Sequence, residues 1–166
     1  MGGMDEDGRV SGMRLSMKSD YALRVLFTLV EERGRGPVPI RELAEQNDVP
    51  KRFLEHIMLD LKRQGWVRSL PGSKGGYILD RHPESISMGQ VVRLFDGVLA
   101  PIGCVSISQY EPCSQQHRCR FRRILLNIRN EVARRMDGAS LAEVFAGAPV
   151  RQEEVFSSDF MDGGGI

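Results

Sequence analysis

Cysteine is scarce in this chain of 166 residues and its number is odd, so three residues cannot form a paired disulfide framework. Aromatic side chains make up only 7%, with a single tryptophan. No stretch approaches the ~18 consecutive apolar residues of a membrane-spanning helix, which predicts no membrane partner. The polar, acidic start, Met1–Gly12, does not read as a secretory leader. His-Glu-x-x-His, Gly-x-Ser-x-Gly and the Walker loop are missing, so no frame for an enzyme is present. Internal repeats are missing too. These absences exclude secreted scaffolds and membrane proteins, and they predict a cytoplasmic, mostly folded chain of about one domain.

What is present is a usable core and a hidden separation of charge. Hydrophobic residues reach 41% and charged ones 27%, ordinary for a globular protein. The net charge is only +1. Yet Met1–Gly12 and the segment from Gly147 onward together hold seven acids and two bases, leaving +6 on the part between. A basic body between acidic ends fits a polyanionic partner.

Hydrophobic periodicity orders the chain. Ala22, Val25, Leu26, Leu29 and Val30 lie at helical spacing between Lys18 and Arg33, before Gly34. A short helix follows Pro39, and a third opens at Pro50 with Leu54, Ile57, Met58 and Leu61 as its apolar face. After Gly65 the period changes to two: Trp66–Leu70 and Tyr77–Leu79 read as strands around the turn Pro71–Gly76. Three helices and a hairpin are the order of a winged helix-turn-helix. Ser87 with Gln90, and Ser140 with Glu143, are capping boxes for two later helices, the first with an Ile86/Val91 staple. From Gly97 to about His117 no period holds. A long helix is expected from about Arg118 to Met136, with a seam of Phe121, Leu125, Ile128, Val132 and Met136.

The expected fold is therefore mainly α with a small β-hairpin wing (α+β): a winged helix-turn-helix followed by a long C-terminal helix whose apolar seam suits helix–helix packing. The expected divisions are a loose tail at 1–12, a DNA-binding domain at 13–83, a sensor loop and dimerisation helices at 84–146, and an acidic, Gly-rich tail at 147–166.

In a helix-turn-helix the second helix of the motif enters the major groove by its N-terminal end. Here that end is Lys51-Arg52-Phe53-Leu54-Glu55-His56. Lys51 and Arg52 are cationic donors, Glu55 can accept from cytosine, and His56 can donate. Ser73, Lys74 and Gly75 make the wing tip small and cationic, suited to phosphate or a minor groove. Lys51, Arg52, Phe53, Glu55, His56, Ser73, Lys74 and Gly75 are thus the candidate DNA-contacting residues.

Cys104, Cys113 and Cys119 all fall within sixteen residues. The spacing Cys-x8-Cys-x5-Cys lacks the short knuckle of structural zinc sites. Soft thiolates on a flexible loop suit zinc, copper(I) or an iron–sulfur cluster. Arg118, Arg120, Arg122 and Arg123 surround the last cysteine and would favour thiolates there.

From Met13 to about Phe145 the chain resembles the Rrf-type winged-helix transcriptional regulators (IscR/NsrR/RirA/CymR-like), in their iron–sulfur subtype. The resemblance is carried by MRLSMKSDYALRVL, PVPIRELAEQNDVPKRFLEHIMLDLKRQGWV, GSKGGYIL, SISMGQVVRLFDG and SLAEVF, in that order. It implies a homodimer on palindromic double-stranded promoter DNA, with the long helices crossing at the dimer interface. It also implies an iron–sulfur cluster on Cys104, Cys113 and Cys119, 4Fe-4S favoured and 2Fe-2S the alternative, sensing redox state, nitric oxide or iron. The IscR pattern has a fourth ligand three residues after the last cysteine, but that position is Arg122, which cannot ligate. The NsrR pattern takes an aspartate from the first helix of the other subunit, within Thr-Asp-Tyr-x-Leu-Arg; Ser19–Arg24 matches it, making Asp20 the first candidate and His117 the second. A helix cap is the plainer role for Asp20. The wing departs from the family where an arginine precedes the glycines: Leu70 stands there, with Arg68 two residues earlier. The alternative function is a cluster-free member acting as a thiol switch or by binding a partner enzyme.

Overall fold

Ser16 starts the first helix, its Oγ accepting from the Ser19 N–H at 3.2 Å. A computed structural model of the chain describes residues 13–156. The expected tail at 1–12, and the end from residue 157, lie outside the described residues. Helix α1 (Met17–Glu31) buries Ala22, Val25, Leu26 and Leu29 of the expected face, and Leu23 besides, with Val30 half-buried at its edge. Helix α2 (Ile40–Asn47) ends at Asp48, whose φ of 52° turns the chain. Helix α3 (Lys51–Arg63) then crosses beneath, with Leu54, Ile57, Met58 and Leu61 at 0% exposure. Full burial of such side chains stabilises a fold by about 1.5–3 kcal/mol each.

Strands β1 (Val67–Leu70) and β2 (Gly76–Leu79) pair antiparallel, Arg68 opposite Ile78 and Leu70 opposite Gly76. The segment before α2 adds a third edge that the sequence did not reveal. Val38 and Tyr77 exchange backbone hydrogen bonds of 2.9 and 2.8 Å. That pairing explains Gly76, where a Cβ would run into the Val38 carbonyl.

A 3₁₀ turn at Pro83–Ser85 leads to helix α4 (Met88–Phe95), with the expected capping box and with Ile86 and Val91 fully buried. Helix α5 (Arg122–Gly138) packs on α4, and helix α6 (Leu141–Ala146) begins with the second capping box. The two boxes are tied together: Met88 N–H donates to Ala139 O at 2.9 Å and Leu141 N–H to Ile86 O at 2.8 Å. Through this tie Ile86, Val91 and Leu141 enter the same hydrophobic cluster as α1 and α3.

Four expectations change. The segment 97–117 is not without structure, because Gly103–Val105 forms a 3₁₀ turn that buries Cys104 and Val105. The long helix begins at Arg122 and not at Arg118, since the Arg118 and Cys119 amides both close on Gln115 O at 2.9 Å and end that turn first. Its apolar stripe divides: Val132 and Met136 face α4 across a small cleft with Gly89 and Val92, whereas Phe121 and Ile128 are exposed together with the unanticipated Ile124. Within the expected acidic tail, Gln152–Val155 forms a short helix α7.

Candidate nucleic-acid interface and thiol segment

The exposed end of α3 follows from its sequence. Pro50 supplies an extended φ/ψ at the helix entrance, and the apolar face turns inward, leaving Lys51, Arg52, Glu55 and His56 outside. Lys51 Nζ lies 3.8 Å from Glu55 Oε1, one helical turn on. Phe53 is half-buried and packs edge-on against Tyr21, ring centroids 5.6 Å apart, so its ring braces α3 on α1. His56 lines a groove of about 280 Å³ with Lys18, Phe53, Leu59, Asp60 and Arg63.

The wing is set by glycine. Gly72 has φ 109°, and a Cβ on Gly75 would meet the Leu70 carbonyl. Gly75 N–H closes on Gly72 O at 3.0 Å. Ser73 and Lys74 are thereby carried outward on a tight tip. Arg68 is held at the stem by Asp80, Nε to Oδ1 2.9 Å, so it does not take the place of the missing tip arginine. Lys62 reaches Ser69 Oγ at 3.0 Å, fastening α3 to β1. Arg63 is paired with Asp60. Among the described residues, Arg52 and Lys74 make no ion pair; one is on the reading helix and the other at the wing tip.

All three cysteines are free: Cys104 is buried, Cys119 half-buried and Cys113 exposed. Three uncombined thiols on one short segment have the donor chemistry of an iron–sulfur site. Among the described residues, however, no three His, Cys, Asp or Glu side chains converge at metal-binding range. Cys104 is fixed from behind. Arg122 donates Nε and Nη2 to the Cys104 carbonyl at 3.2 and 2.8 Å, and Arg129 donates Nη1 to the Val105 carbonyl at 2.9 Å. The sequence placed Arg122 among the cations around Cys119 and as a residue unable to ligate, not as a partner of Cys104, and no local signal singled out Arg129. Cys113 O accepts from Gln116 N–H at 3.1 Å, and Tyr110 Oη donates to Gln116 Oε1 at 2.8 Å, so the segment between the cysteines has its own bonds.

Asp20 is not the cap of α1, because Ser16 takes that place. Its carboxylate is engaged by Arg24, Nε to Oδ1 3.1 Å and Nη2 to Oδ2 2.6 Å, on the exposed side of the helix. His117 is exposed.

Comparison with known proteins agrees with the winged-helix fold. A family model described as "Rrf2: Iron-dependent Transcriptional regulator" matches residues 15–147. An rrf2-like HTH-type transcriptional regulator of Rhodobacter capsulatus is 40% identical over 120 residues, covering 69% of this chain and 80% of the relative. The HTH-type transcriptional regulator IscR of Aliivibrio salmonicida is 27% identical over 140 residues, 84% of this chain and 82% of its own. CymR of Bacillus subtilis is 27% identical over 141 residues, 85% of this chain and 96% of its own. The solved structure of CymR, described as the global cysteine regulator of that organism, superposes with a TM-score of 0.65 at 25% identity, covering 82% and 98% of the two chains. These relatives are transcriptional regulators, not enzymes.

Proposed function

The chain belongs to the Rrf2 family of DNA-binding transcriptional regulators, and from that premise we propose that it is a cytoplasmic homodimer whose grip on palindromic promoter DNA is set by an iron–sulfur cluster on Cys104, Cys113 and Cys119. The observation that carries the reading is the thiol segment: three free cysteines, the first buried and bound through its backbone to the long helix. When bound, the cluster supplies a centre sensitive to redox state, nitric oxide and iron supply, as 4Fe-4S or alternatively 2Fe-2S.

The chain's own residues do the rest. Lys51, Arg52, Glu55 and His56 present donors and an acceptor to base edges, while Ser73, Lys74 and Gly75 offer the wing tip to phosphate. Phe53 holds the reading helix at its angle to α1. Phe121, Ile124 and Ile128 expose an apolar face on α5 that a second copy of the chain would cover. Asp20 of the second subunit is the proposed fourth ligand, and to serve it has to leave Arg24; His117 is the next candidate. A ligand that binds one arrangement of the dimer more tightly shifts the population toward that arrangement.

A second reading, a cluster-free thiol switch or partner-enzyme-binding regulator, draws on the lack of converging metal-binding side chains among the described residues. Anaerobic purification separates the two. A brown protein with iron and acid-labile sulfide supports cluster sensing, and a colourless, iron-free protein that still binds promoter DNA supports the second reading.

A further inference from the structure

The carbonyls of Cys104 and Val105 have no partner inside their own turn. There, Val105 N–H donates to Ile102 O at 3.2 Å and Ser106 N–H to Gly103 O at 3.0 Å. Both orphan acceptors are taken instead by guanidinium groups of α5: Arg122 places Nε and Nη2 on the Cys104 oxygen, and Arg129 places Nη1 on the Val105 oxygen. The two arginines are seven residues apart, about two helical turns, and so share one face of α5. By the same period Ile124 and Ile128, both exposed, lie on the far side of the helix. Leaving a buried carbonyl without a donor is costly, and a charged donor makes the stronger bond. The contact therefore fixes the cysteine backbone to the helix in addition to the burial of Cys104 and Val105.

We propose that Arg122 and Arg129 are positioning residues, a two-point clamp that holds the Cys104 sulfur in its buried place and joins the thiol segment to the back of the proposed dimer helix. This deepens the sensing function proposed above by giving it a mechanical link: a change at Cys104 pulls on α5 through two backbone carbonyls. The clamp itself is present whether the sulfur binds iron or acts as a plain thiol.

The test uses the iron-free, reduced full chain with Cys113→Ser and Cys119→Ser, which leaves Cys104 as its one thiol. The rate of reaction with a neutral disulfide reagent reports the opening of Cys104. Arg122→Gln with Arg129→Gln should raise that rate about tenfold or more, as expected when a charge-assisted bond is removed from a local opening equilibrium. Arg122→Lys alone keeps a charged donor, whereas the Arg122→Gln amide offers only a neutral one, so Arg122→Lys should fall between parent and Arg122→Gln. Hydrogen exchange separates local release from general loosening: the Ser106 amide should exchange faster, while the Asp96 amide, bonded to Val92 O at 2.7 Å, should not change. An unchanged Cys104 rate in the double variant overturns the proposal, and so does an equal rise at both amides. Because this test uses no iron, failure of the cluster reading would appear separately, as an unsubstituted chain that purifies anaerobically without colour, iron or acid-labile sulfide, and would leave the Cys104 rates as expected.

Discussion

Arg52, at the start of the reading helix, and Lys74, at the wing tip, are held by no acid among the described residues, whereas Lys51, Arg63 and Arg68 each have a carboxylate nearby. An unpaired guanidinium at the start of a reading helix can turn to a base edge without first breaking an ion pair. Both Arg52 and Lys51 are exposed at the start of the reading helix, off its apolar face, so Arg52→Ala and Lys51→Ala should each weaken binding to a cognate promoter by ~1–3 kcal/mol while the fold is kept. Fluorescence anisotropy with both variants measures this, and unchanged affinity in both would place recognition elsewhere. Asp20 shows the opposite case. Its ion pair with Arg24 is exposed, and such pairs contribute only about 0.2–1 kcal/mol. Asp20→Ala should thus barely move the melting temperature of the iron-free chain. If Asp20 ligates, the same change should shorten the lifetime of a reconstituted cluster, followed by its visible absorbance. The types of these residues were readable in the sequence, but their pairing was not. Whether a lysine is free depends on where an acid one turn away or across a hairpin comes to rest.

Local signals located the elements well where each element carried its own start and stop. Both capping boxes, at Ser87/Gln90 and Ser140/Glu143, were legible because they are contacts within four residues. The Glu143 carboxyl is held below its usual range by hydrogen bonds from the Ser140 backbone and side chain. A lowered value in the folded state means that this bond favours folding at and above the ordinary carboxylate range. The contribution is lost as pH falls through the lowered value. Glu143→Gln should therefore reduce the acid sensitivity of the melting temperature, compared between neutral and acidic buffer. The start of α5 was misplaced because the turn on Gln115 competes for the Arg118 and Cys119 amides, a competition that apolar spacing does not register. Gly89 carries no local signal of its own, yet a Cβ there would strike Asp137 on α5. Gly89→Ala should destabilise the α4–α5 contact by roughly 1–3 kcal/mol, as overpacking does, and chemical denaturation would register it.

For the whole molecule, the outward face of α5 is the feature with most at stake. Phe121, Ile124 and Ile128 are 65%, 60% and 42% exposed and lie close together on one side of the helix, an apolar face suited to a partner. Ile124→Glu with Ile128→Glu should give monomers in sedimentation and lose most of the DNA affinity, since each monomer would hold a single half-site. An intact dimer in that variant would move the seam elsewhere. The sequence by itself determined the family, the winged helix-turn-helix and the position of the three cysteines. It could do so because periodicity, caps and turn glycines act over a few residues and survive in any fold that uses them. Only the tertiary structure decided which apolar residues of α5 face inward, that Val38 completes the wing, that Arg24 engages Asp20, and that Arg122 and Arg129 grip the turn holding Cys104. All but the Arg24 pairing join positions distant in sequence, and each contact depends on where the chain places a carbonyl, a side chain or an open space; hydrogen bonds and close packing are selected by that geometry and not by spacing along the chain.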